Sequence, residues 1–305
     1  MKLTVLGFNS AVPTVRSHPT AQLLVIRNRH FLIDCGEGTQ VQLRKAQAKF
    51  SKINHIFISH LHGDHIFGLI GLISSFQLLG RNISITIYGP KGIKELIETQ
   101  LRLTESYANF NLIFRELTSK ESELIYEDEK VTVHTIPLHH RIYTNGFLFR
   151  EKPKLRKLNI DVISKYPEIK ICDYQNLKLG KDFICENGTV LKNKDLTSSP
   201  NYSYSYAFCS DTVYNPDIIP LLKDVDVLYH ESTFLNDLKD MAYKTGHSTA
   251  LQAAQIAKDA NVKYLILGHF SNRYTDISVF KKEAETVFPN IILPEELSTI
   301  DFKEL

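Results

Sequence analysis

The stretch ISHLHGDHIFGL, residues 58–69, places three histidines and one aspartate within six positions and then becomes apolar. It starts at the end of an apolar run, residues 53–58, which predicts a buried strand. Imidazole and carboxylate groups beside a buried strand are costly unless they are paired, and coordination of a metal ion satisfies them. A tight loop lets alternate side chains of H-x-H-x-D-H converge on one point, and Gly63 permits the bend. The pattern favours metal binding over surface or helix-capping roles for His60, His62, Asp64 and His65.

Further protonatable residues follow other predicted strands, where a shared sheet edge would bring them to the same side of the core. Each one alone is more often structural than functional. Together they would complete a two-metal centre, in which two ions clamp a phosphodiester during in-line displacement. Only one of two adjacent histidines can face such a centre. The residues after these strands are His139, His140, Asp211, His230, Glu231 and His269.

The elements that would position these residues alternate between short β-rich runs and helical patterns. A helix is predicted over residues 66–79, closed by Gly80. The second half shows the same alternation of strand and helix patterns, with strands predicted over residues 205–209, 225–229 and 263–267. Two halves of this kind predict an α/β fold in which two sheets are covered by helices on the outside.

The composition is that of an ordinary globular protein with ample material for a core, at 305 residues with 43% hydrophobic and 23% charged residues. The first residues lack the pattern of an export signal, and Gly and Ser interrupt the longest apolar run. We therefore predict a cytoplasmic protein without a membrane partner. The four cysteines have no C-x-x-C spacing, which argues against a disulfide framework or a thiolate zinc site. Any metal must then be held by histidine and aspartate.

Between the two halves, residues 151–200 form a long insertion with little sustained periodicity. Residues 150–200 contain eleven Lys or Arg against seven Asp or Glu, an excess of four positive charges. An unpatterned segment of this length inside a compact domain is usually functional or mobile. Its charge suits either a solvated surface or an anionic partner. We predict one domain over residues 1–305, with residues 151–200 protruding from it as a basic arm.

Several short strings beyond SHLHGDHIFGL are distinctive. They are DCGEGTQ (residues 34–40), YGPKGIKELIE (88–98), SDT (210–212), HEST (230–233), HST (247–249) and LGHFSNRY (267–274). Through these strings the chain resembles the metallo-β-lactamase superfamily and, within it, the ribonuclease Z family. H-x-H-x-D-H alone points only to the superfamily, whereas its combination with HEST and HST points to the ribonuclease Z family. The resemblance covers nearly the whole chain.

The resemblance implies a metallo-β-lactamase-like αββα sandwich with an inserted arm, and the activity of a zinc-dependent endoribonuclease. Such an enzyme removes the 3′ trailer of a tRNA precursor by attack of a metal-activated hydroxide on the phosphodiester. Cleavage leaves a 3′-hydroxyl on the tRNA and a 5′-phosphate on the trailer. The resemblance also implies a homodimer in which the arm of one subunit grips the tRNA for the other subunit's active site.

The resemblance further assigns roles to individual residues of this chain. It implies two zinc ions per subunit, although histidine and aspartate ligands also suit manganese or cobalt. The first ion would be held by His60, His62 and His140, the second by Asp64, His65 and His269, and Asp211 would bridge them. The catalytic residues would be His247, which assists the departing oxygen, Glu231, which orients His247, and Asp64, which orients the attacking water. Arg273 would hold a phosphate.

Two segments depart from the family pattern. Residues 151–200 contain no Gly-Pro pair, and Tyr166 and Pro167 stand roughly in its place. Residues 13–18, PTVRSH, lack the lysine and the Arg-Asn pair of the family's P-x-K-x-R-N. Both departures concern substrate selection rather than the chemistry of cleavage.

Two other classes of function stay open. One is a small-molecule phosphodiesterase or arylsulfatase-like hydrolase of the same superfamily, which the long basic insertion disfavours because a small substrate needs no arm. The other is a non-catalytic RNA-binding protein on a retained hydrolase fold, which the complete set of ligands disfavours. The structural alternative for His247 is a place beside the N-terminus of a helix that begins near Ser248. The alternative for Arg273 is an exposed ion pair.

Overall fold

The computed structural model describes residues 1–15 and 17–305, which form two compact units. The larger unit comprises residues 1–150 and 204–305, and the smaller comprises residues 151–203. Two sheets of seven strands each are found within the described residues. In the same part of the chain, no helix is both long enough and apolar enough to cross a membrane.

The strands of the two large sheets come from both ends of the chain. In chain order, all strands are β1 Lys2–Gly7, β2 Ala21–Ile26, β3 Arg29–Ile33, β4 Ile53–Phe57, β5 Ile85–Pro90, β6 Leu112–Leu117, β7 Leu124–Glu127, β8 Val131–Leu138, β9 Thr144–Glu151, β10 Lys157–Leu158, β11 Phe183–Ile184, β12 Val190–Leu191, β13 Thr197–Ser198, β14 Ser205–Cys209, β15 Val227–Glu231, β16 Tyr264–Gly268, β17 Ile291–Ile292 and β18 Thr299–Asp301. The first sheet has the order β18-β1-β2-β3-β4-β5-β6, and the second has the order β17-β16-β15-β14-β9-β8-β7. Neighbours run parallel from β3 to β6 in the first sheet and from β14 to β17 in the second.

Helices cover the outer face of each sheet. In chain order, the α-helices of the described residues are α1 Thr39–Lys45, α2 Gly63–Ile66, α3 Leu69–Leu78, α4 Ile93–Leu103, α5 Ile160–Ile163, α6 Tyr174–Lys178, α7 Asn193–Leu196, α8 Ile219–Leu222, α9 Lys239–Thr245, α10 Ala250–Asp259 and α11 Ser278–Ala284. Of these, α5, α6 and α7 belong to the smaller unit. Apolar residues of α1, α3 and α4 share a core with the first sheet, and those of α10 and α11 share a core with the second.

Alternation of side chains along the strands produces the layers. In β4, Ile56 packs toward the helices, whereas Phe57 packs toward the second sheet with Phe147 and Tyr206. Successive residues of a strand point to opposite faces, so one apolar strand supplies two cores. The predicted αββα arrangement of two sheets covered by helices is confirmed.

The helix predicted over residues 66–79 is found as α3, Leu69–Leu78, which begins three residues later than predicted because Phe67 and Gly68 separate it from the short helix α2. A Cβ atom on Gly68 would lie 2.0 Å from the carbonyl oxygen of Gly36, so the two backbones are in direct contact. The Gly68 amide also donates to the carbonyl oxygen of Cys35 at 2.9 Å. This contact with a distant segment interrupts the helix, and a local sequence pattern does not reveal it.

One strand that contributes to the site begins and ends two residues later than predicted. The strand predicted over residues 225–229 is β15, which spans Val227–Glu231. His230 and Glu231 are therefore the last two residues of the strand rather than the first residues of the following loop. Both are fully buried.

The smaller unit, residues 151–203, contains short elements with a core of their own. Strand β10 pairs with β13, and β11 pairs with β12. The core joins α5, α6 and α7 through Ile163, Ile169, Leu177 and Leu196. Elements of two to five residues are too short to show a hydrophobic period, which is why the sequence pattern indicated little regular structure here.

Candidate active site

The candidate site lies at one edge of the sheets, where several strands end. Strands β14, β15 and β16 run parallel, so their carboxyl ends meet at this edge. Asp211 comes shortly after β14, Glu231 ends β15 and His269 directly follows β16. From the remaining elements, His60 and His62 follow β4, α2 carries Asp64 and His65, and His140 follows β8.

Four side chains form a first group of candidate ligands: His60, His62, His140 and Asp211. Nε2 of His60 lies 3.0 Å from Nδ1 of His62, and that atom lies 3.2 Å from Nε2 of His140. Oδ2 of Asp211 is 3.6 Å from Nε2 of His60 and 3.9 Å from Nε2 of His140. One atom of each residue therefore faces a common centre, and the four atoms lie within 4.8 Å of one another.

A second group joins Asp64, His65 and His269 to the other oxygen of Asp211. Oδ2 of Asp64 lies 3.4 Å from Nε2 of His65 and 3.4 Å from Nε2 of His269. Oδ1 of Asp211 lies 3.4 Å from Nε2 of His65 and 3.2 Å from Nε2 of His269. Asp211 thus stands between the two groups and turns one carboxylate oxygen toward each. All seven residues that the resemblance assigns to metal ions meet in these two groups.

The two groups fit a pair of metal ions. Imidazole and carboxylate are common ligands of zinc, manganese and cobalt. Nε2 of the fully buried His65 makes no hydrogen bond among the described residues, and it faces carboxylate oxygens of Asp64 and Asp211 at 3.4 Å. A buried nitrogen of this kind is costly unless it is coordinated. Burial lowers the pKa of His60 well below its usual value, so the ring is neutral, as a metal ligand must be.

Hydrogen bonds fix the rings of His60 and His65 from behind. Nδ1 of His65 lies 2.7 Å from Oδ2 of Asp34, a fully buried carboxylate. The Ser59 hydroxyl donates to the same carboxylate at 2.9 Å, which leaves its oxygen free to accept from Nδ1 of His60 at 3.0 Å. Each ring therefore presents Nε2 to the ligand group. Sequence analysis did not single out Asp34, although a carboxylate directly after an apolar strand is a usable signal.

The rings of His140 and His269 are held in the same way. Nδ1 of His140 donates to the carbonyl oxygen of Gly246 at 2.7 Å. Nδ1 of His269 lies 2.9 Å from Oγ1 of Thr233, whose hydroxyl donates to Oε2 of Glu231 at 2.8 Å. The second ligand group is thereby connected to Glu231 through one hydroxyl. Thr233 was also missed as a functional residue, although it belongs to the HEST string.

His247 lies beside both groups and is paired with Glu231. Its Nδ1 is 2.9 Å from Oε1 of Glu231 and 3.9 Å from Oδ2 of Asp211. Burial alone would lower the pKa of His247, but the carboxylates of Glu231 and Asp211 raise it to about 9. The ring is therefore protonated at neutral pH and can donate a proton. Helix α10 is capped by the side chain of Thr249, so His247 is not required as a cap.

The two carboxylates nearest His247 are ionised although they are fully buried. Burial would raise the pKa of Asp211, but the surrounding imidazoles, led by His269, hold it well below its usual range. Burial likewise opposes ionisation of Glu231, and the charge and hydrogen bond of His247 lower its pKa. The site therefore combines fixed negative charge with neutral and protonated imidazoles, which is the combination that a cation site with a neighbouring acid needs.

A cavity of about 640 Å³ opens over the two groups. A volume of this size is typical of ligand pockets. Its lining comes from both halves of the chain, with Gly63 and Phe67 from the first half and Phe234 and His247 from the second. The ligands that line the cavity are His62, Asp64, Asp211 and His269.

The altered loop, residues 13–18, borders this cavity. Pro13 lines it. Arg16 lies outside the described residues. Just before the altered residues, the amide of Ala11 donates to Oδ2 of Asp64 at 2.8 Å. The start of the loop thus helps to position one of the ligands.

Three residues that sequence analysis considered lie outside the two groups. His139 is exposed, and its backbone amide donates to Oγ1 of Thr212. His230 is buried, and its Nδ1 bonds to the neighbouring backbone carbonyl oxygen at 2.7 Å. Arg273 is exposed, with its guanidinium 5.3 Å from the ring centre of Phe234. It is not one of the described residues that line the cavity.

The chain is similar to proteins of known name over nearly its whole length. Ribonuclease Z of Bacteroides fragilis (strain YCH46) is 46% identical over 295 residues, which cover 97% of each chain. The crystal structure of human tRNase Z, short form (ELAC1), matches with a TM-score of 0.72 and 27% identity over 99% of each chain. The metallo-β-lactamase fold protein YhfI of Bacillus subtilis matches with a TM-score of 0.69 and 18% identity over 98% of each chain, which is a likeness of fold. Residues 1–155, about half of the chain, match the family model described as anti-Pycsar protein Apyc1.

Proposed function

Because the chain belongs to the ribonuclease Z family, with a first half that also belongs to the family described as anti-Pycsar protein Apyc1, we propose that it is an endoribonuclease that removes the 3′ trailer of tRNA precursors. The observation that carries this proposal is His247, paired with Glu231, beside two groups of His and Asp ligands. Cleavage of a phosphodiester needs an acid for the leaving oxygen and positive charge beside the phosphate. His247 supplies the acid, and the two groups would hold the metal ions that supply the charge.

The proposed cofactor is a pair of zinc ions in each subunit. When bound, the ions lower the pKa of water and offset the negative charge that grows on the phosphate. The neutral ring of His60 suits this role, and so does Nε2 of His65, which makes no hydrogen bond among the described residues and faces the carboxylates of Asp64 and Asp211. One ion would be held by His60, His62 and His140 and the other by Asp64, His65 and His269, and Asp211 would be shared.

The chain's own residues orient the water and deliver the proton. Asp64, whose Oδ2 is fixed by the Ala11 amide, orients the attacking water as a hydrogen-bond acceptor. As the water oxygen bonds to phosphorus, the bond to the 3′ oxygen breaks and His247 protonates that oxygen. Glu231 keeps His247 oriented and charged before the reaction. The tRNA then leaves with a 3′-hydroxyl, and the trailer keeps the 5′-phosphate.

The predicted arm, residues 151–200, lies within the smaller unit, residues 151–203, and is proposed to bind the body of the tRNA. Its apolar side chains form their own core, and lysines such as Lys165 and Lys170 are exposed. The excess of four positive charges over residues 150–200 suits contacts with phosphates. Closer to the cavity, Arg273 is a candidate phosphate ligand because its exposed guanidinium lies over Phe234, a lining residue.

The assembly and location of the protein are proposed from the family resemblance. Two chains would associate so that the arm of one serves the active site of the other, and the enzyme would work in the cytoplasm on precursor tRNA. Light scattering of the purified protein tests the first point, and a monomer at working concentrations would contradict it. Fractionation of cells tests the second.

A comparison of two substrates tests the proposed function. Purified, metal-loaded protein is given a tRNA precursor with a 3′ trailer and, in parallel, a cyclic nucleotide. The proposal expects a much higher kcat/KM for the precursor, with one cut that leaves a 3′-hydroxyl on the tRNA. The small-molecule phosphodiesterase alternative is not favoured, because the relative that matches over nearly the full length is named ribonuclease Z. A higher kcat/KM for the cyclic nucleotide would nevertheless support it and contradict the proposal.

A further inference from the structure

Phe67 is an exposed aromatic side chain at the active-site cavity. All seventeen phenylalanines lie among the described residues, and Phe67 is the only one of them with an exposed side chain, at 64% exposure. An exposed phenylalanine forfeits the stabilisation that burial gives the other rings. Single exposed apolar residues are common, but this one lines the cavity over the ligand groups. Its position therefore suggests a ligand for the ring.

Two glycines hold the ring in place. A Cβ atom on Gly63 would meet ring atoms Cε2, Cδ2 and Cζ of Phe67 at 2.2, 2.6 and 2.7 Å, so the ring lies against the Gly63 backbone. The Phe67 amide donates to the Gly63 carbonyl oxygen at 2.9 Å. On the other side, Gly68 is fixed by its backbone contact with Gly36. A ring that is already supported loses little conformational freedom when a ligand packs on it.

The cavity lining falls into two sets of residues, and Phe67 and His247 belong to different sets. Phe67 packs with Gly63 in the set that comes from the first half of the chain. His247 lies with Phe234 in the set from the second half, and their ring centres are 6.2 Å apart. Both sets also contribute to the ligand groups, with His62 and Asp64 from the first half and Asp211 and His269 from the second.

We propose that Phe67 stacks against the base of the first nucleotide of the trailer, the nucleotide that carries the 5′-phosphate after cleavage. This inference rests on the proposed function. His247 protonates the departing 3′ oxygen, so the last nucleotide of the tRNA lies on the side of His247. The scissile phosphate occupies the ligand groups, and the nucleotide on its other side extends toward Phe67. Every base has a π face, so a stacked ring holds the trailer without selecting its sequence.

The experiment combines Phe67 variants with precursors that lack the base of the first trailer nucleotide. The wild-type enzyme should show a KM about tenfold higher for this abasic precursor, the loss expected for one base–aromatic stack. Phe67→Leu should raise KM for the intact precursor by a similar factor, with kcat nearly unchanged. For this variant, KM for the abasic precursor should be little higher than KM for the intact precursor. Phe67→Trp should restore the low KM, because it keeps a π face.

Tyr107→Leu is the matched control, because Tyr107 is 72% exposed and is not among the described residues that line the cavity. It should leave KM unchanged. Metal content and the melting temperature check that the Phe67 variants fold.

Three results would overturn the assignment. If Phe67→Leu and the missing trailer base each raised KM by the same factor whether or not the other change was present, the ring and the base would not interact. If the effect of Phe67→Leu on KM depended instead on the base of the last tRNA nucleotide, the ring would lie on the tRNA side of the phosphate and not on the trailer side. A change in oligomeric state in Phe67→Leu would assign the ring to a subunit contact. Failure of the wild-type enzyme to cleave any precursor would instead refute the proposed function, so the two failures are distinguishable.

Discussion

Asp211 links the two ligand groups, because each of its carboxylate oxygens faces a different group. Asp211→Ala should therefore lower the content of both metals and abolish most activity, as elemental analysis and a cleavage assay will show. The matched control is Asp217→Ala, which removes an exposed carboxylate six positions further along the chain. Full occupancy of both sites in Asp211→Ala would contradict the bridging role.

Glu231 sets the protonation state of His247, since the two side chains form a buried pair at 2.9 Å. The charge of Glu231 raises the pKa of His247 against the effect of burial, so removing that charge should lower this pKa. An acid works only below its pKa, and the alkaline limb of the single-turnover pH profile should therefore move to lower pH in Glu231→Gln. An unchanged alkaline limb, in a variant with normal metal content, would show that His247 is not the acid.

The residues that face the ligand groups could be predicted because each follows an apolar strand or lies in one dense string. The residues that hold their rings could not be predicted in the same way. Asp34 is 31 positions from His65, and Thr233 is 36 positions from His269. Local patterns mark Asp34, which follows an apolar strand, and Thr233, which lies in HEST, but which ring each side chain supports depends on the tertiary fold.

At the scale of elements, the contact between Gly68 and Gly36 fixes the junction of α2 and α3. Gly68→Ala would place a Cβ atom 2.0 Å from a backbone oxygen, which cannot move aside as a side chain can. We expect a loss of about 1–3 kcal/mol in the free energy of unfolding, measured by urea denaturation, together with weaker metal binding. The control is Gly71→Ala within α3, where the nearest atom is the flexible end of Gln40 at 3.2 Å. Equal stability of Gly68→Ala and the wild-type protein would contradict this role.

The strands of the two sheets were the most predictable elements, because runs such as β4 and β14 are apolar and five residues long. The helix predicted over residues 66–79 is present as α3, but it begins three residues later because a distant backbone contact at Gly68 interrupts the continuous apolar pattern. Local periodicity thus predicts an element, whereas its interruption at the site depends on tertiary packing.

At the scale of the whole molecule, the arm is a unit whose structure the sequence did not reveal, since its elements are too short to show a period. Replacing residues 151–203 by a short linker should weaken binding of precursor tRNA and leave the metal ligands, all outside it, in place. Small phosphodiesters should be hydrolysed about as before. For every phosphate that the protein no longer neutralises, the negative slope of log K against log salt should become less steep by about 0.9 for a duplex-like target. Unchanged affinity and salt slope in a folded, metal-loaded variant would refute the role of the arm.

The measurement that tests the central claim most directly is the single-turnover rate of precursor tRNA cleavage by the wild-type protein and by His247→Ala. His247 is outside the proposed ligand set, so the variant should keep both metals and its affinity for the precursor. Loss of the acid should slow cleavage by roughly 10²–10⁴-fold, the range typical of general acid–base groups. A near-normal rate in the variant, or no cleavage of the precursor by the wild-type protein, would contradict the account.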